Sequence, residues 1–195
     1  MTPHFSIIVP TTGRPSLERA LDSLARQPLA EDEVLVSGSG PRLADRVRAY
    51  GFSWVPCATG GHFGCEERMA AIAAARGTHL LFLDDDDAYL PGAVAAIRLV
   101  VAKEPARPIL CRMITPSGVL LWRTRAVRLG NHGTPQFVTP NDPARLGAWT
   151  DRYVGDFDFL TSTLARYPKG ALVWDETILC ACRTYAARVW ECCAV

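Results

Sequence analysis

The chain contains 195 residues with a mass of 21.3 kDa, which is the size of one ordinary domain. Hydrophobic residues make up 49% and charged residues 21% of the chain, and these fractions exclude disordered and fibrous proteins. The net charge of +1 excludes a strong long-range attraction of the whole molecule to nucleic acids or membranes.

The sequence contains no segment typical of export or membrane insertion. No apolar run reaches the roughly 18 residues that cross a bilayer, and no signal peptide precedes the first predicted strand. The seven cysteines include no C-x-x-C pair, the spacing typical of structural zinc. We therefore expect a cytoplasmic protein without a transmembrane segment, whose thiols are reduced.

The first half of the chain alternates apolar strands with helices. Strands are predicted at residues 5–10, 33–37, 53–55 and 79–83. Helices are predicted from residue 17 and over residues 42–50, 65–76 and 91–103. Ser16 is placed to cap the first helix, and Gly77 stands where the third helix should end. Four strand–helix units in a row predict a parallel sheet covered by helices on both faces.

The second half of the chain has a different pattern. Residues 109–113 and 119–123 flank Thr115-Pro116-Ser117-Gly118, which is typical of a hairpin turn. The polar segment 130–150 holds three prolines and predicts a functional loop. A helix is predicted at residues 155–167, and strands are predicted near 171–174 and at 178–182. We therefore expect an α/β fold whose second half is mixed.

Asp84, Asp85, Asp86 and Asp87 form the most informative motif. A run of like charges is usually only a solvated surface. Here the run directly follows a buried strand, and ligands bind at the carboxyl ends of strands in α/β sheets. Neighbouring carboxylates repel one another unless a cation compensates, and Mg²⁺ and Mn²⁺ prefer such oxygen ligands together with substrate phosphates. The run therefore predicts a site for a metal ion and a phosphate group.

Five motifs, the aspartate run among them, belong together. They are Ser6-Ile7-Ile8-Val9-Pro10-Thr11, the glycine-rich segment after Val36, Phe82-Leu83-Asp84-Asp85-Asp86-Asp87 with Pro91 beyond it, Gly155-Asp156-Phe157-Asp158-Phe159, and Asp175-Glu176 with Arg183. In this order the motifs resemble those of glycosyltransferase family 2, whose members have the GT-A fold. The resemblance implies one GT-A-like domain over residues 1–185. It is divided into a nucleotide-sugar-binding half at 1–103 and an acceptor half at 104–185, and a C-terminal tail follows at 186–195. It also implies a metal-dependent, inverting transfer of a sugar from a nucleotide diphosphate sugar to an acceptor hydroxyl, with Mn²⁺ or Mg²⁺ as cofactor.

The resemblance also implies roles for particular residues. The residues that would bind the nucleotide sugar are Pro10, Thr11, Thr12, Arg14, Ser37, Arg68, Asp84 and Asp85. Asp84 and Asp86 match the DXD pair and would be metal ligands. Asp156 would be the general base that deprotonates the acceptor, and Asp158 is the second candidate for this catalytic role. A carboxylate at the start of a helix is also a common helix cap, which is the alternative for Asp156.

The sequence departs from the family at two places. Members usually carry an acidic residue at the end of the second strand, where it contacts the nucleobase, but this chain has Ser37-Gly38-Ser39-Gly40 there. The identity of the nucleobase is therefore left open. Many members have a metal-binding histidine where Tyr185 stands, and His132 in the predicted loop is a candidate substitute ligand. A solvated loop histidine is the alternative.

The acceptor half carries an excess of positive charge. Between residues 107 and 152 there are seven arginines and only two aspartates. Arg123, Arg125 and Arg128 cluster after a predicted strand, and such a patch suits a phosphate-bearing acceptor, with modified DNA as the less favoured case. Ordinary surface ion pairs are the alternative.

Two other functions stay open on the sequence alone. A non-catalytic GT-A-like module could bind a nucleotide sugar or a glycan, although only catalysis needs Asp84, Asp86 and Asp156 together. A nucleotidyltransferase would share the metal and phosphate chemistry, although its first loop would need a lysine that residues 11–15 lack.

Overall fold

A computed structural model describes residues 3–58 and 62–182, and a mixed sheet of nine strands runs through this part of the chain. The strands are β1 (Phe5–Pro10), β2 (Glu33–Gly38), β3 (Ser53–Pro56), β4 (His79–Phe82), β5 (Asp87–Tyr89), β6 (Ile109–Ile114), β7 (Leu120–Leu121), β8 (Phe137–Pro140) and β9 (Val173–Cys182). The α-helices are α1 (Leu17–Ala25), α2 (Pro41–Ala49), α3 (Cys65–Ala74), α4 (Ala93–Lys103) and α5 (Gly155–Leu164). The order across the sheet is β3-β2-β1-β4-β8-β6-β9-β5, and β7 pairs with β6.

The first four strands form the parallel half of the sheet. β1 lies between β2 and β4, with Ile8 opposite Leu35 on one side and Phe82 on the other. β3 extends this half beyond β2, also in parallel. β1, β2 and β4 are mostly apolar because both faces of this part of the sheet are buried: Ile7 and Val9 enter one core cluster and Ile8 enters the other.

Helices cover both faces of the sheet. α1 and α4 bury their apolar sides in the cluster that contains Ile7, while α3 and α5 contribute to the cluster that contains Ile8. The predicted α/β class, with a mainly parallel first half and a mixed second half, is therefore confirmed. Among the described residues, no helix is long and apolar enough to cross a membrane.

The main correction concerns residues 130–150, for which the sequence predicts a loop. Residues Phe137–Pro140 form β8, which pairs antiparallel with both β4 and β6 and so joins the two halves of the sheet. Phe137 and Val138 are buried, but this short apolar stretch lies among prolines and polar residues. The strand forms because of partners that are distant in sequence, so the local pattern does not reveal it.

Two further strands differ from the prediction. β9 is one strand of ten residues where the sequence predicts two short ones, and its pairing with β6 shifts register between Leu110 and Met113. β5 begins at the last aspartate of the run and pairs antiparallel with the end of β9. This pairing holds the aspartate run against the second half of the chain.

Two predicted helix ends also need correction. Ser16 precedes α1, but its side chain makes no capping hydrogen bond. α3 ends at Ala74 and Ala75 is already extended, so Gly77 does not end this helix. Gly77 instead lies against β1: its N–H donates a hydrogen bond to Ser6 Oγ over 2.7 Å, and a Cβ at Gly77 would overlap the Ser6 backbone.

These contacts predict that one substitution destabilises the protein and that another has almost no effect. Gly77→Ala should lower the free energy of unfolding by about 1–3 kcal/mol, because the added methyl group pushes against β1. Ser16→Ala should change it by less than about 0.5 kcal/mol, because no capping bond is lost. Urea unfolding followed by circular dichroism measures both values. An unchanged midpoint for Gly77→Ala would contradict the close approach of this residue to β1.

Candidate active site

A cleft of about 710 Å³ opens at the carboxyl ends of β1 and β4, where the sequence predicts the ligand site. The predicted site residues that line it are Pro10, Thr11, Thr12, Arg14, Arg68, Asp84, Asp85, Asp86, His132 and Asp156. Ser37 and Asp158 are not among its lining residues. The fold thus brings residues from both halves of the chain to one cleft.

Ser37 supports the cleft through its backbone. β2 places Ser37 beside Pro10 of β1, and the Ser37 carbonyl accepts a hydrogen bond from the Thr11 N–H over 2.8 Å. The Ser37 side chain is buried, and its hydroxyl has no partner among the described residues. Ser37 therefore holds the end of β1 in place.

Asp84 forms an ion pair with Arg68 of α3. The Arg68 guanidinium also donates a hydrogen bond to the Phe63 carbonyl over 2.6 Å and lies over the Trp149 ring, 4.4 Å from its centre. Only 7% of the Arg68 side chain is exposed. Arg68 therefore connects the aspartate run with the segment before α3 and the segment before α5.

Asp85 is bound to the loop that follows β1. Its carboxylate accepts a hydrogen bond from Thr11 Oγ1 over 2.7 Å and lies 3.7 Å from the Arg14 guanidinium. Burial raises the pKa of Asp85, while the Thr11 hydrogen bond and the Arg14 charge act in the opposite direction. Asp85 thus connects the loop after β1 with the aspartate run.

Asp84, Asp86 and Asp87 form a compact group of carboxylates. One oxygen of each lies within 4.8 Å of the others. The run turns back on itself, since the Asp87 N–H donates a hydrogen bond to the Asp84 carbonyl over 3.0 Å. The Arg14 guanidinium, 3.3 Å from Asp86, compensates part of the negative charge. Three converging hard oxygen donors fit Mg²⁺ or Mn²⁺.

Asp87 is the member of this group that the sequence pattern does not single out. Its side chain is buried, and Cys182 Sγ donates a weak hydrogen bond to its carboxylate over 3.5 Å. Asp87 also belongs, with Cys180 and Cys182, to a second group whose potential ligand atoms lie within 4.8 Å of one another. The β5–β9 pairing places Asp87 opposite Cys182, and local pattern does not predict such a long-range contact.

Asp156 lines the cleft from the second half of the chain, in the first turn of α5. The residue that precedes this helix is Val154, so Asp156 does not occupy the cap position. Its Oδ1 accepts a hydrogen bond from the Phe157 N–H over 2.8 Å. Burial raises the pKa of Asp156; the Asp84 charge adds to this effect, and the Phe157 N–H and Arg68 oppose it. A carboxylate with a raised pKa is well suited to accept a proton.

Asp158 has a different environment from Asp156. Its two carboxylate oxygens accept hydrogen bonds from the Arg152 guanidinium, over 3.0 and 3.1 Å, and one also accepts a hydrogen bond from Thr150 Oγ1. These bonds fix the segment before α5. Of the two predicted candidates for the base, Asp156 lies in the cleft and Asp158 stabilises a loop.

His132 lines the cleft but is not a solvated loop residue. Only 8% of it is exposed, and its ring stacks on Phe157 with the ring centres 5.5 Å apart and the planes 11° apart. Burial lowers the pKa of His132 to about 4, so the imidazole is neutral at pH 7. Its Nε2 is buried without a hydrogen-bond partner in the described part of the chain, and His132 joins neither group of potential metal ligands there. A buried nitrogen without a hydrogen-bond partner lowers the free energy of unfolding by about 1–3 kcal/mol unless a ligand or water binds it.

The arginine cluster does not contribute lining residues to the cleft. Arg123, Arg125 and Arg128 are exposed and are not among the residues that line the cleft. Arg125 pairs with Glu176 over 3.4 Å, and its guanidinium lies over the Trp122 ring. Surface ion pairing therefore accounts for Arg125, and a phosphate-bearing acceptor stays a prediction.

The last motif of the resemblance is described in part. Asp175 and Glu176 belong to β9, and Glu176 also pairs with Arg112 over 3.1 Å. Arg183, Tyr185 and the predicted tail at residues 186–195 lie outside the described residues.

Comparisons with known proteins agree with this geometry. The family model described as glycosyl transferase family 2 matches residues 6–148. No curated protein sequence matches the chain. Among solved structures, S. aureus TarS 1-349 is similar with a TM-score of 0.74 and 20% identity, over 92% of this chain and 60% of that chain. The same fragment in complex with UDP-GlcNAc gives a TM-score of 0.72 and 17% identity, over 93% of this chain and 58% of that one.

A second similar protein is glucosyl-3-phosphoglycerate synthase from Mycobacterium tuberculosis in complex with Mn²⁺, UDP and phosphoglyceric acid. Its TM-score is 0.67 at 17% identity, over 93% of this chain and 71% of that chain. For comparison, the chain spans about three fifths of the length of the TarS fragment. At these identities the likeness concerns the fold, and it confirms the GT-A-like architecture that the motifs imply. Because the family model covers well over half of the sequence, the chain belongs to glycosyl transferase family 2.

Proposed function

We propose that the protein transfers a sugar from a UDP-sugar to an acceptor hydroxyl, with inversion at the anomeric carbon. The observation that carries this proposal is the presence of two kinds of carboxylate in one cleft: the group of Asp84, Asp86 and Asp87, and the separate Asp156. Sugar transfer needs one group to offset charge on the leaving diphosphate and another to remove the acceptor proton. The family to which the chain belongs supports the same reaction.

The cluster of three carboxylates would hold the metal ion. Asp84, Asp86 and Asp87 would bind Mn²⁺ or Mg²⁺, which offsets the negative charge that develops on the leaving diphosphate. The convergence of three carboxylates supports this assignment, and so does the Mn²⁺ in the similar M. tuberculosis synthase. Arg68 keeps the Asp84 carboxylate in position through its ion pair.

The end of β1 would bind the nucleotide. Pro10, Thr11 and Thr12 line the cleft there, and Arg14 lies beside the carboxylate group. UDP is the expected nucleotide because the similar proteins were solved with UDP or UDP-GlcNAc. Since the segment after β2 has no acidic side chain before Pro41, other groups would contact the uracil ring.

Asp156 would take the proton of the acceptor hydroxyl. The hydroxyl oxygen attacks the anomeric carbon from the side opposite the diphosphate, and the new glycosidic bond forms as the bond to the diphosphate oxygen breaks. The electron pair of the broken bond leaves with UDP, and the acceptor proton moves to the Asp156 carboxylate. One displacement of this kind inverts the anomeric configuration. Burial raises the pKa of Asp156, so its carboxylate is a stronger base than an exposed aspartate, and this supports the role.

The alternative functions have less support from these residues. A module that only binds a ligand needs no buried carboxylate with a raised pKa in its cleft. A nucleotidyltransferase would use a lysine at the phosphates, and no lysine is among the described residues that line the cleft.

Nucleotide binding gives the first test. UDP with Mn²⁺ should raise the unfolding temperature more than GDP, ADP, CDP or TDP does, because a ligand that binds the folded state stabilises it. Chelation of Mn²⁺ by EDTA should remove most of this increase. A thermal-shift titration measures these responses, and an absent or equal response to all five nucleotides would contradict the proposed donor.

Substitution of Asp86 tests the metal assignment. Asp86→Ala should abolish Mn²⁺-dependent binding of UDP and slow transfer by about 100-fold or more, since the metal is worth several kcal/mol to the leaving group. Isothermal titration with UDP, with and without Mn²⁺, measures the binding. Asp45→Ala is the matched control because it removes an exposed aspartate that pairs with Arg48 on α2. Near-normal turnover of Asp86→Ala would show that the metal assignment is wrong.

Substitution of Asp156 tests the base. Asp156→Asn should lower kcat by about 10²–10⁴-fold and leave the Kd of UDP unchanged, because the amide cannot accept the proton. Asp158→Asn is the comparison: it weakens the bonds to Arg152 and Thr150, so it should lower the unfolding temperature and reduce kcat less. Steady-state kinetics and UDP titration separate the two effects. If Asp156→Asn kept normal kcat, another residue would have to be the base.

A further inference from the structure

A second group of potential metal ligands adjoins the cluster of three carboxylates. It consists of Asp87, Cys180 and Cys182, and we call it the aspartate–thiol group. One potential ligand atom of each residue lies within 4.8 Å of those of the other two. Asp87 also belongs to the cluster of three carboxylates, so the two groups share one carboxylate.

Strand pairing explains why these three side chains converge. Cys180 and Cys182 are two residues apart on β9, so their side chains lie on the same face of the sheet. β5 pairs antiparallel with β9 and places Asp87 directly opposite Cys182. Side chains of directly opposite residues share one face of a sheet. The aspartate–thiol group is therefore held by paired strands.

The spacing and chemistry of the ligand atoms suit Zn²⁺. Tetrahedral zinc, with bonds of about 2.3 Å to sulfur and about 2.0–2.2 Å to oxygen, places a sulfur and an oxygen ligand about 3.5–3.7 Å apart. The Cys182 Sγ and a carboxylate oxygen of Asp87 are 3.5 Å apart. Zn²⁺ binds thiolates and carboxylates, whereas Mg²⁺ and Mn²⁺ prefer oxygen ligands. The two adjoining groups therefore favour different cations.

The cleft gives a cation access to this group. Asp87 and Cys182 are both lining residues of the cleft, and the Cys180 sulfur lies within 4.8 Å of their ligand atoms. As the two zinc–sulfur bonds form, each thiol releases its proton to water. The hydrogen bond from Cys182 to Asp87 is then replaced by bonds from both residues to the ion. A water molecule from the cleft can supply the fourth ligand.

We propose that Asp87, Cys180 and Cys182 bind Zn²⁺, and that this ion inhibits sugar transfer because it engages Asp87. The zinc site does not depend on the reaction of the protein, and only the inhibition rests on the proposed function. An Asp87 oxygen that is bound to Zn²⁺ is lost to the cluster of three carboxylates, and two divalent cations at such close range repel each other. By thermodynamic linkage, each ion weakens the binding of the other by the same factor.

Cobalt spectroscopy tests the thiol ligands. Co²⁺ takes the place of Zn²⁺ in tetrahedral sites, and cobalt–thiolate bonds give a near-ultraviolet charge-transfer band that carboxylates alone do not give. The full chain with Cys192→Ser and Cys193→Ser, which removes the two thiols of the tail, is reduced, freed of metal and titrated with Co²⁺. The band should saturate at a single equivalent and disappear when Zn²⁺, which binds more tightly, is added. Absence of the band, or its removal by Mg²⁺, would overturn the zinc site.

Single substitutions identify the two thiols. Cys180→Ala and Cys182→Ala should each weaken Zn²⁺ binding by about tenfold or more, because one of three protein ligands is lost. Cys57→Ala is the matched control and should have no effect, since it removes a buried cysteine that belongs to neither group of potential ligands in the described part of the chain. Competition with a chromogenic chelator measures the affinities, and thermal unfolding without metal shows whether each variant is folded. Unchanged zinc affinity in folded Cys180→Ala and Cys182→Ala would overturn the assignment.

Binding of Mn²⁺ tests the inhibition. In the presence of UDP, saturating Zn²⁺ should raise the Kd of Mn²⁺, measured by electron paramagnetic resonance, about tenfold in the wild type and much less in Cys180→Ala. An equal effect on both proteins would place the competing Zn²⁺ at the cluster of three carboxylates and refute the inhibition through the thiols.

These measurements separate the two proposals. A protein that gives the cobalt–thiolate band but binds no UDP and transfers no sugar would refute the proposed function and leave the zinc site standing. Normal transfer without the band would refute only the zinc site.

Discussion

The buried Arg68 guanidinium is the contact on which the rest of the site depends. It pairs with Asp84 and lies over the Trp149 ring, and Trp149 in turn stacks on Phe159 of α5 with the ring centres 4.8 Å apart. One side chain therefore links the aspartate run at the end of β4 with the helix that carries Asp156. Only 7% of the Arg68 side chain is exposed, so removal of Asp84 would leave a largely buried positive charge without its partner, which is destabilising.

The cleft contains more negative than positive charge, and this imbalance couples its stability to its ligands. Six carboxylates and three arginines line it, and burial raises the pKa values of Asp85 and Asp156. Carboxylates that are close together and partly buried repel one another unless a cation or a proton binds. Divalent metal binding to Asp84, Asp86 and Asp87 would relieve this repulsion, and the folded protein would gain stability from the same event that prepares the site.

The local sequence pattern predicts where a residue lies when its position depends only on the strand or helix to which it belongs. The run at 84–87 follows an apolar strand, and the rule that α/β sheets bind ligands at strand ends is sufficient to place it. The resemblance places Asp156 at the start of a helix. His132 could not be placed in this way, because its burial depends on the Phe157 ring, which comes from another part of the chain. The same reason explains why the local pattern does not predict β8 or the contribution of Asp87: both depend on strand pairing between distant segments.

The position of β8 also determines the order in which the chain can complete its sheet. The strands β1 to β4 precede residue 83, but β4 then ends the sheet with backbone N–H and C=O groups that lack partners. Residues Phe137–Pro140 close this edge by pairing with β4, and they pair with β6 on their other side. During synthesis from the N-terminus, the first half therefore keeps an open edge until β8 has been made, and an open edge can pair with other chains. A strand of four residues thus closes the edge of β4 and joins the two halves of the chain in one sheet.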